Sequence, residues 1–175
     1  MRITVLAVGK IREKYFRDAL EEYKKRISRY GKLTIVEVPD EKAPENLSPA
    51  GEAQVLEKEG DRILEKIPED AYLISLALEG ESPDSPGLAR LLEKLPHQGY
   101  GHVCFLIGGS LGLDPRVKEK SRMLLSFSPM TFPHQLMRVV LLEQSLSSWK
   151  TALFLSGTPV IIPSSWISSP ISMLR

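Results

Sequence analysis

One cysteine, three histidines and a formal charge of only +1 are what this 175-residue sequence has little of, and each shortage removes a class of function. Cys104 stands alone inside an apolar run, so neither an internal disulfide nor a cysteine-based metal cluster can form, which fits a reducing compartment. His97, His102 and His134 are too scattered for a recognisable metal motif, and no metal is expected. With 23 Lys and Arg against 22 Asp and Glu, nucleic-acid binding cannot be argued from overall charge. A nearly neutral chain can still carry a local basic patch, or make one across a dimer. No apolar run reaches membrane-spanning length, and Met1-Arg2-Ile3-Thr4-Val5 reads as a strand rather than a signal peptide, so the expected location is cytoplasmic. There is no internal repeat and no low-complexity linker. What is there, 42% apolar and 26% charged residues, suits one ordinary soluble domain with room for a core.

Strand patterns over 2–8, 33–38, 71–78, 102–107 and 124–128 alternate with helical patterns over 14–30, 52–67, from Ser85 onward, 114–120 and 135–150. In the first helix Phe16, Ala19, Leu20, Tyr23, Ile27 and Tyr30 recur at helical spacing, against a charged face that reads as solvated, with a specific RNA contact as the alternative. Leu56, Ile63, Leu64 and Ile67 mark the expected inward side of the second helix. Pro86 in the first turn supports a helix opening at Ser85. The run 102–107 is almost all apolar and is expected to be central. Residues 39–49 form a polar loop with three prolines. The alternation predicts an α/β fold with a mostly parallel sheet flanked by helices, and ligands bound beyond the carboxyl ends of its strands. After Lys150 no charged residue occurs before Arg175, and serine and proline become frequent. Residues 1–150 are therefore read as the domain and 151–175 as an atypical tail.

Three loops follow the carboxyl ends of strands, at 76–80, 107–113 and 127–134. Gly108-Gly109-x-x-Gly112 is neither the dinucleotide fingerprint nor a P-loop, so pyrophosphate binding is not supported. Glycines there serve either a tight strand-to-helix turn or the close approach of a flat ligand to the main chain. Pro129 and Pro133 stiffen the third loop. Phe127, Met130 and Phe132 either wall an adenine-sized slot or plug the core. His134 is either a structural contact at the last helix or a substrate contact. Arg138, on an otherwise apolar helix, must find a partner such as Glu143, a carbonyl or a phosphate. Ser110, Ser126 and Ser128 have no accompanying His and Asp, so a hydrolase triad is not supported.

The run Phe105-Leu106-Ile107-Gly108-Gly109-Ser110-Leu111-Gly112-Leu113, and the stretch 125–144 containing Met130-Thr131-Phe132-Pro133-His134 and ending Glu143-Gln144, resemble the RlmH family of SPOUT-class methyltransferases. Ile3-Thr4-Val5-Leu6-Ala7-Val8-Gly9-Lys10 and Glu37-Val38-Pro39-Asp40-Glu41-Lys42 resemble its first strand and its second strand with the following loop. The resemblance runs from Met1 to about Gln144. It implies a homodimer, a trefoil knot at the carboxyl end of the sheet, and S-adenosyl-L-methionine held bent within the knot. It also implies a ribosomal partner and N3-methylation of a pseudouridine in 23S ribosomal RNA. Carried over residue by residue, the implied cofactor contacts are Leu76, Gly108, Phe127, Ser128, Pro129, Met130, Thr131 and Phe132. His134 and Arg138 are expected to place the RNA. Methyl transfer from a sulfonium is an in-line displacement that needs alignment above all, with the nucleophilic nitrogen losing its proton to a side chain or water.

Members of that family continue after Glu-Gln with an apolar residue and Tyr-Arg-Ala, and end at Gly-x-x-Tyr-His. Here Ser145-Leu146-Ser147-Ser148-Trp149-Lys150 follow, and the sequence runs on to Arg175. The resemblance makes the missing residues RNA and active-site partners. Two functional readings therefore stand: an active rRNA methyltransferase, and a dimer that binds cofactor or ribosome but is impaired in catalysis. A different α/β enzyme acting on a nucleotide or small molecule is a third, with no phosphate motif or triad to support it. The tail reads as a shifted frame, since Ser-Leu-Ser-Ser can be encoded by a one-base slip of codons for Leu-Tyr-Arg-Ala. The other reading is a divergent segment, disordered or packing Val160-Ile161-Ile162 on a dimer.

Overall fold

The computed structural model describes residues 1–44 and 46–155, with side chains through Lys150. Five strands make one parallel sheet: β1 (Arg2–Val8), β2 (Lys32–Val38), β3 (Tyr72–Glu81), β4 (His102–Ile107) and β5 (Met123–Leu125), in the order β2-β1-β4-β3-β5. The helices α1 (Lys14–Ile27), α2 (Pro49–Leu64), α3 (Ser85–His97), α4 (Pro115–Lys120) and α5 (His134–Leu155) cover it.

The continuous apolar runs of β1 and β4 resolve into two faces because successive side chains of a strand point to opposite sides. Ile3, Val5, Ala7, Val103, Phe105 and Ile107 pack with Leu20 and Ile27 of α1, Leu92 and Leu95 of α3, and Leu142 and Leu146 of α5. Leu6, Val8, Cys104 and Leu106 pack on the other face with Ile63, Leu113 and Val117. Each fully buried side chain of this size stabilises the fold by roughly 2 kcal/mol. Cys104 belongs to this packing. Burial pushes its thiol up to about 12, so it is an inert hydrophobe. His102 is also structural: its ring nitrogens lie 2.9 Å from Thr4 Oγ1 and 2.9 Å from Asp70 Oδ1, at the amino end of the sheet.

Several boundaries differ from the expected ones, each for a local reason. The first helix stops at Ile27, where the Ser28 hydroxyl donates to Lys25 O. Tyr30 still reaches the core and lies against Trp149, ring centroids 6.5 Å apart. The second helix begins at Pro49, three residues early, with Ser48 as its N-cap accepting from Gly51 N. Its fully buried residues are Val55, Glu59, Gly60 and Ile63; of the expected stripe Ile63 is in the core, Leu64 and Ile67 pack against it half-buried, and Leu56 is half-buried. β3 continues to Glu81, because Leu125 pairs with both Leu76 and Glu81 across a register shift that bulges out the residues between. β5 ends at Leu125 rather than Ser128, because Ser126 Oγ donates to Ser128 O and Met130 N donates to Ser128 Oγ, a turn made by serines. The last helix starts at His134 and runs to Leu155, past the expected limit at Lys150. Residues 156–175, which hold most of the atypical tail, lie outside the described residues.

Candidate active site

The carboxyl ends of β3, β4 and β5 open into one cavity of about 730 Å³, within the range of small-molecule sites. All three loops singled out from the sequence contribute to it. Leu76, Ala77, Leu78 and Glu79 come from the bulged end of β3, and Ile107 through Leu113 from the glycine loop. Phe127, Ser128, Met130, Thr131, Phe132, Pro133 and His134 come from the third loop and the start of α5. Among the expected cofactor residues, Leu76, Gly108, Phe127, Ser128, Met130, Thr131 and Phe132 thus face one space, while Pro129 is exposed and does not line it. Leu78 and Met130 stand at its mouth, 57% and 69% exposed.

The glycine loop is built by contact with itself. A Cβ on Gly108 would fall 2.1 Å from Gly112 O, so only glycine allows the chain to fold back there. Gly112 has φ of +89°, and its N–H donates to Gly109 O at 3.2 Å. Close packing of main chain on main chain is sufficient reason for Gly108, and the positive φ for Gly112, before any ligand is considered.

Two charged features were not legible in the sequence. Lys118 of α4 lines the cavity and pairs with Glu79 at 2.7 Å, holding that carboxyl below its ordinary range. Nothing in the pattern of 114–120 distinguishes Lys118 from the other lysine of α4, Lys120. Glu59 of α2 lies behind the glycine loop, 3% exposed. Its Oε1 accepts from Glu41 N at 2.9 Å, and its Oε2 has no partner. A Cβ on Gly109 would lie 2.7 Å from that oxygen. Burial first, then the nearby Asp40 and Glu41, raise its pKa. A glutamate at i+4 from Val55 and i−4 from Ile63 was the available clue.

His134 and Arg138 separate in role. His134 is half-buried and lines the cavity. Its pKa is lowered by burial and by the Arg138 charge, with Asp40 and Glu13 pulling the other way, so the ring is neutral at neutral pH. Arg138 does not line the cavity and is 1% exposed. Its Nη1 donates to Glu37 Oε1 at 2.7 Å, and its Nη2 donates to Val8 O at 2.6 Å and Gly9 O at 2.7 Å. The partner demanded by its helix is therefore a carboxylate with two carbonyls of β1 and the residue after it. Glu143 serves elsewhere, accepting from Ser147. Placed so, Arg138 is buried away from the cavity, bonded to Glu37 and to the end of β1.

Among the described residues no group of three or more His, Cys, Asp or Glu side chains is placed to hold a metal ion, and no helix is long and apolar enough to cross a membrane. A largely apolar cavity with a glycine wall, one ion pair and one neutral imidazole is suited to hold a flat organic cofactor and align a second reactant against it.

The comparisons agree on the class. A family model described as predicted SPOUT methyltransferase matches residues 1–151, which makes the protein a SPOUT methyltransferase by class. Ribosomal RNA large subunit methyltransferase H of Bifidobacterium animalis subsp. lactis is 51% identical over 86% of this chain and 94% of its own. The protein of the same name from Bifidobacterium adolescentis is 53% identical over the same shares. A putative one from Methanococcus vannielii is 49% identical over 91% of this chain and 98% of its own. The chain belongs to this family, the RlmH-type SPOUT methyltransferases. Among solved structures, a probable methylase family protein from Haemophilus influenzae Rd KW20 covers 94% of this chain and 72% of its own, at 13% identity and a TM-score of 0.47, too distant to argue from.

Proposed function

We propose that the chain is a ribosomal RNA large subunit methyltransferase that transfers a methyl group from S-adenosylmethionine to N3 of a pseudouridine in 23S rRNA. The single observation that carries this reading is the convergence of Leu76, Gly108 and the loop 127–132 on one cavity, in a chain about half identical to relatives of that name. Bound there, S-adenosylmethionine supplies an electrophilic methyl on a sulfonium. The residues present fit it. Phe127, Met130 and Phe132 with Leu76 offer an apolar slot for the adenine, and the main chain of Gly108 lies against the same space. Lys118 and Glu79 offer one charge of each sign for the methionyl carboxylate and ammonium. Rate comes from holding nitrogen, methyl and sulfur in line and excluding water. His134, neutral and at the edge of the cavity, positions the target base, and Arg138 positions His134 by fixing the end of β1. The same family membership supports a trefoil knot between β4 and α5 and a homodimer, for which the partly exposed Leu136, Met137 and Val140 of α5 supply apolar surface.

The test is methyl transfer to ribosomes from a strain lacking this modification, with the product mapped. Label at N3 of a large-subunit pseudouridine is expected. Label elsewhere, or none from a folded protein that binds the cofactor, sinks the reading.

One observation favours the impaired alternative. Ser145, where an apolar residue precedes Tyr-Arg in the family, is wholly buried and its Oγ has no hydrogen-bond partner. A polar side chain in an apolar slot marks this stretch as a departure rather than a neutral variation. If the departure disables catalysis, Leu146→Tyr/Ser147→Arg should raise methyl transfer while leaving cofactor affinity unchanged. An unchanged rate removes that explanation.

A further inference from the structure

The cations of α1 and the loop before it fall into two sets. Towards the end of the helix Lys24 pairs with Glu21 at 3.5 Å and Arg26 with Glu22 at 2.8 Å, with Lys25 exposed between them, an ordinary solvated face. At its start Lys10, Arg12, Lys14 and Arg17 are all exposed, and among the described residues none has a carboxylate within ion-pair distance. The nearest acids in sequence form no ion pair with them among the described residues: Glu13 has a buried, unpartnered Oε2, and Asp18 is exposed.

This segment is held in place and lies beside the cavity. Arg17 donates to the carbonyls of Ile11 and Arg12. Ile11 N donates to Glu37 Oε1 at 3.1 Å, the oxygen that also takes Arg138. Arg12 N donates to Gln135 Oε1 at 3.3 Å, next to His134 of the cavity wall. A Cβ on Gly9 would lie 3.2 Å from His134 Nε2. In the middle of the set stands Tyr15, 65% exposed, its ring tilted against Phe16 with centroids 4.4 Å apart. Unpaired cations around an exposed, backed aromatic ring are the elements of a nucleic-acid surface: charge for phosphates and a π-face for a base. An acidic protein would use the cations and leave the ring without a purpose.

We propose that Lys10, Arg12, Lys14 and Tyr15 form an RNA-docking edge, the cations on backbone phosphates and Tyr15 stacked on an unpaired base beside the target nucleotide. The proposal rests on the rRNA methyltransferase reading for the identity of the RNA, but its test does not depend on catalysis. Binding of the full chain to large ribosomal subunits and to protein-free large-subunit rRNA is measured across salt concentrations. The wild type is compared with Lys10→Gln/Arg12→Gln/Lys14→Gln, Tyr15→Ala and Tyr15→Phe, with cofactor affinity and melting as controls. Surface glutamines there are not expected to unfold the protein, since all three side chains are exposed and Lys14, in the first turn of α1, opposes the helix dipole.

The triple variant should bind both RNAs at least tenfold more weakly, with the slope of log affinity against log salt smaller by about 1 for each cation removed. Tyr15→Ala should lose roughly tenfold and Tyr15→Phe nearly nothing, since stacking needs the ring and not the hydroxyl. Equal binding by wild type and triple variant overturns the proposal, and so does a wild type that binds neither RNA. Discrimination on whole subunits but not on protein-free rRNA assigns the edge to a ribosomal protein and also overturns it. A docking defect in a protein that transfers no methyl group leaves the edge standing and removes the activity reading instead.

Discussion

β1 and β4 are neighbours in the sheet, in register from Arg2 against His102 to Ala7 against Ile107, yet their carboxyl ends have opposite fates. The end of β1 is closed. Arg138 fills it, satisfying Val8 O, Gly9 O and Glu37 with one guanidinium. The end of β4 is open. Gly108 and Gly112 fold the chain back on itself and leave a cavity in front. Two similarly apolar neighbouring strands thus end in a structural plug and a cavity. The difference lies in the few residues beyond each strand and in which helix reaches over them.

The sharpest break of this contrast is to unplug β1. Arg138→Met leaves a carboxylate and two carbonyls without their donor, and should cost about 3 kcal/mol, at the lower end for a broken buried pair because Glu37 is partly exposed. For a chain of this size that lowers the melting temperature by about 10 °C. Calorimetric melting checks it, and adding Glu37→Leu should recover part of the loss, since the stranded charge goes with it.

Next, the open end can be blocked in two ways that differ in kind. Gly108→Ala drives a methyl into main chain, should cost about 1–3 kcal/mol, and should weaken cofactor binding at least tenfold. Gly112→Ala meets no atom within 4 Å and suffers only its positive φ, about 1 kcal/mol. Denaturant titration and cofactor titration of the pair separate the two costs.

A smaller effect tests what lies between the ends. His134 has a lowered pKa, so the unfolded chain binds its proton first as pH falls. Its contribution to stability is complete above the unfolded value near 6.5 and is lost as pH drops below it. Melting from about pH 8 to about pH 5 should show this acid loss in the wild type and less of it in His134→Gln.

The smallest effect concerns the support behind the loop. Glu59 has a raised pKa, so its burial penalises the fold increasingly as pH rises through that value. Glu59→Gln keeps an acceptor for Glu41 N and loses the charge. It should melt slightly above the wild type near pH 8 and level with it near pH 4. Glu59→Ala loses the hydrogen bond and should be less stable at both, which distinguishes a charge penalty from a packing one.

These contrasts also show what can be read without coordinates. Alternating apolar runs are enough for the parallel sheet, and loops at strand ends for the place of the cavity, because both follow from local periodicity and the connection of strand-helix-strand units. Position beyond that depends on partners distant in sequence. Arg138 is separated from the carbonyls it serves by about 130 residues, so its need for a partner was legible while the partner was not. Glu59 carries little signal in the sequence because a glutamate on an amphipathic helix is normally exposed. β5 is shorter than its pattern because Leu-Ser-Phe-Ser alternates like a strand, while the two serine hydroxyls tie the chain into a turn.

The central claim is that the open end of β4, with the loops beside it, is the cofactor site. Calorimetric titration of S-adenosylmethionine into the folded wild type and into Gly108→Ala tests it most directly. Saturable binding to the wild type, lost or at least tenfold weaker in Gly108→Ala, is the predicted result. Equal affinity in both, or no binding to a folded wild type, would contradict it.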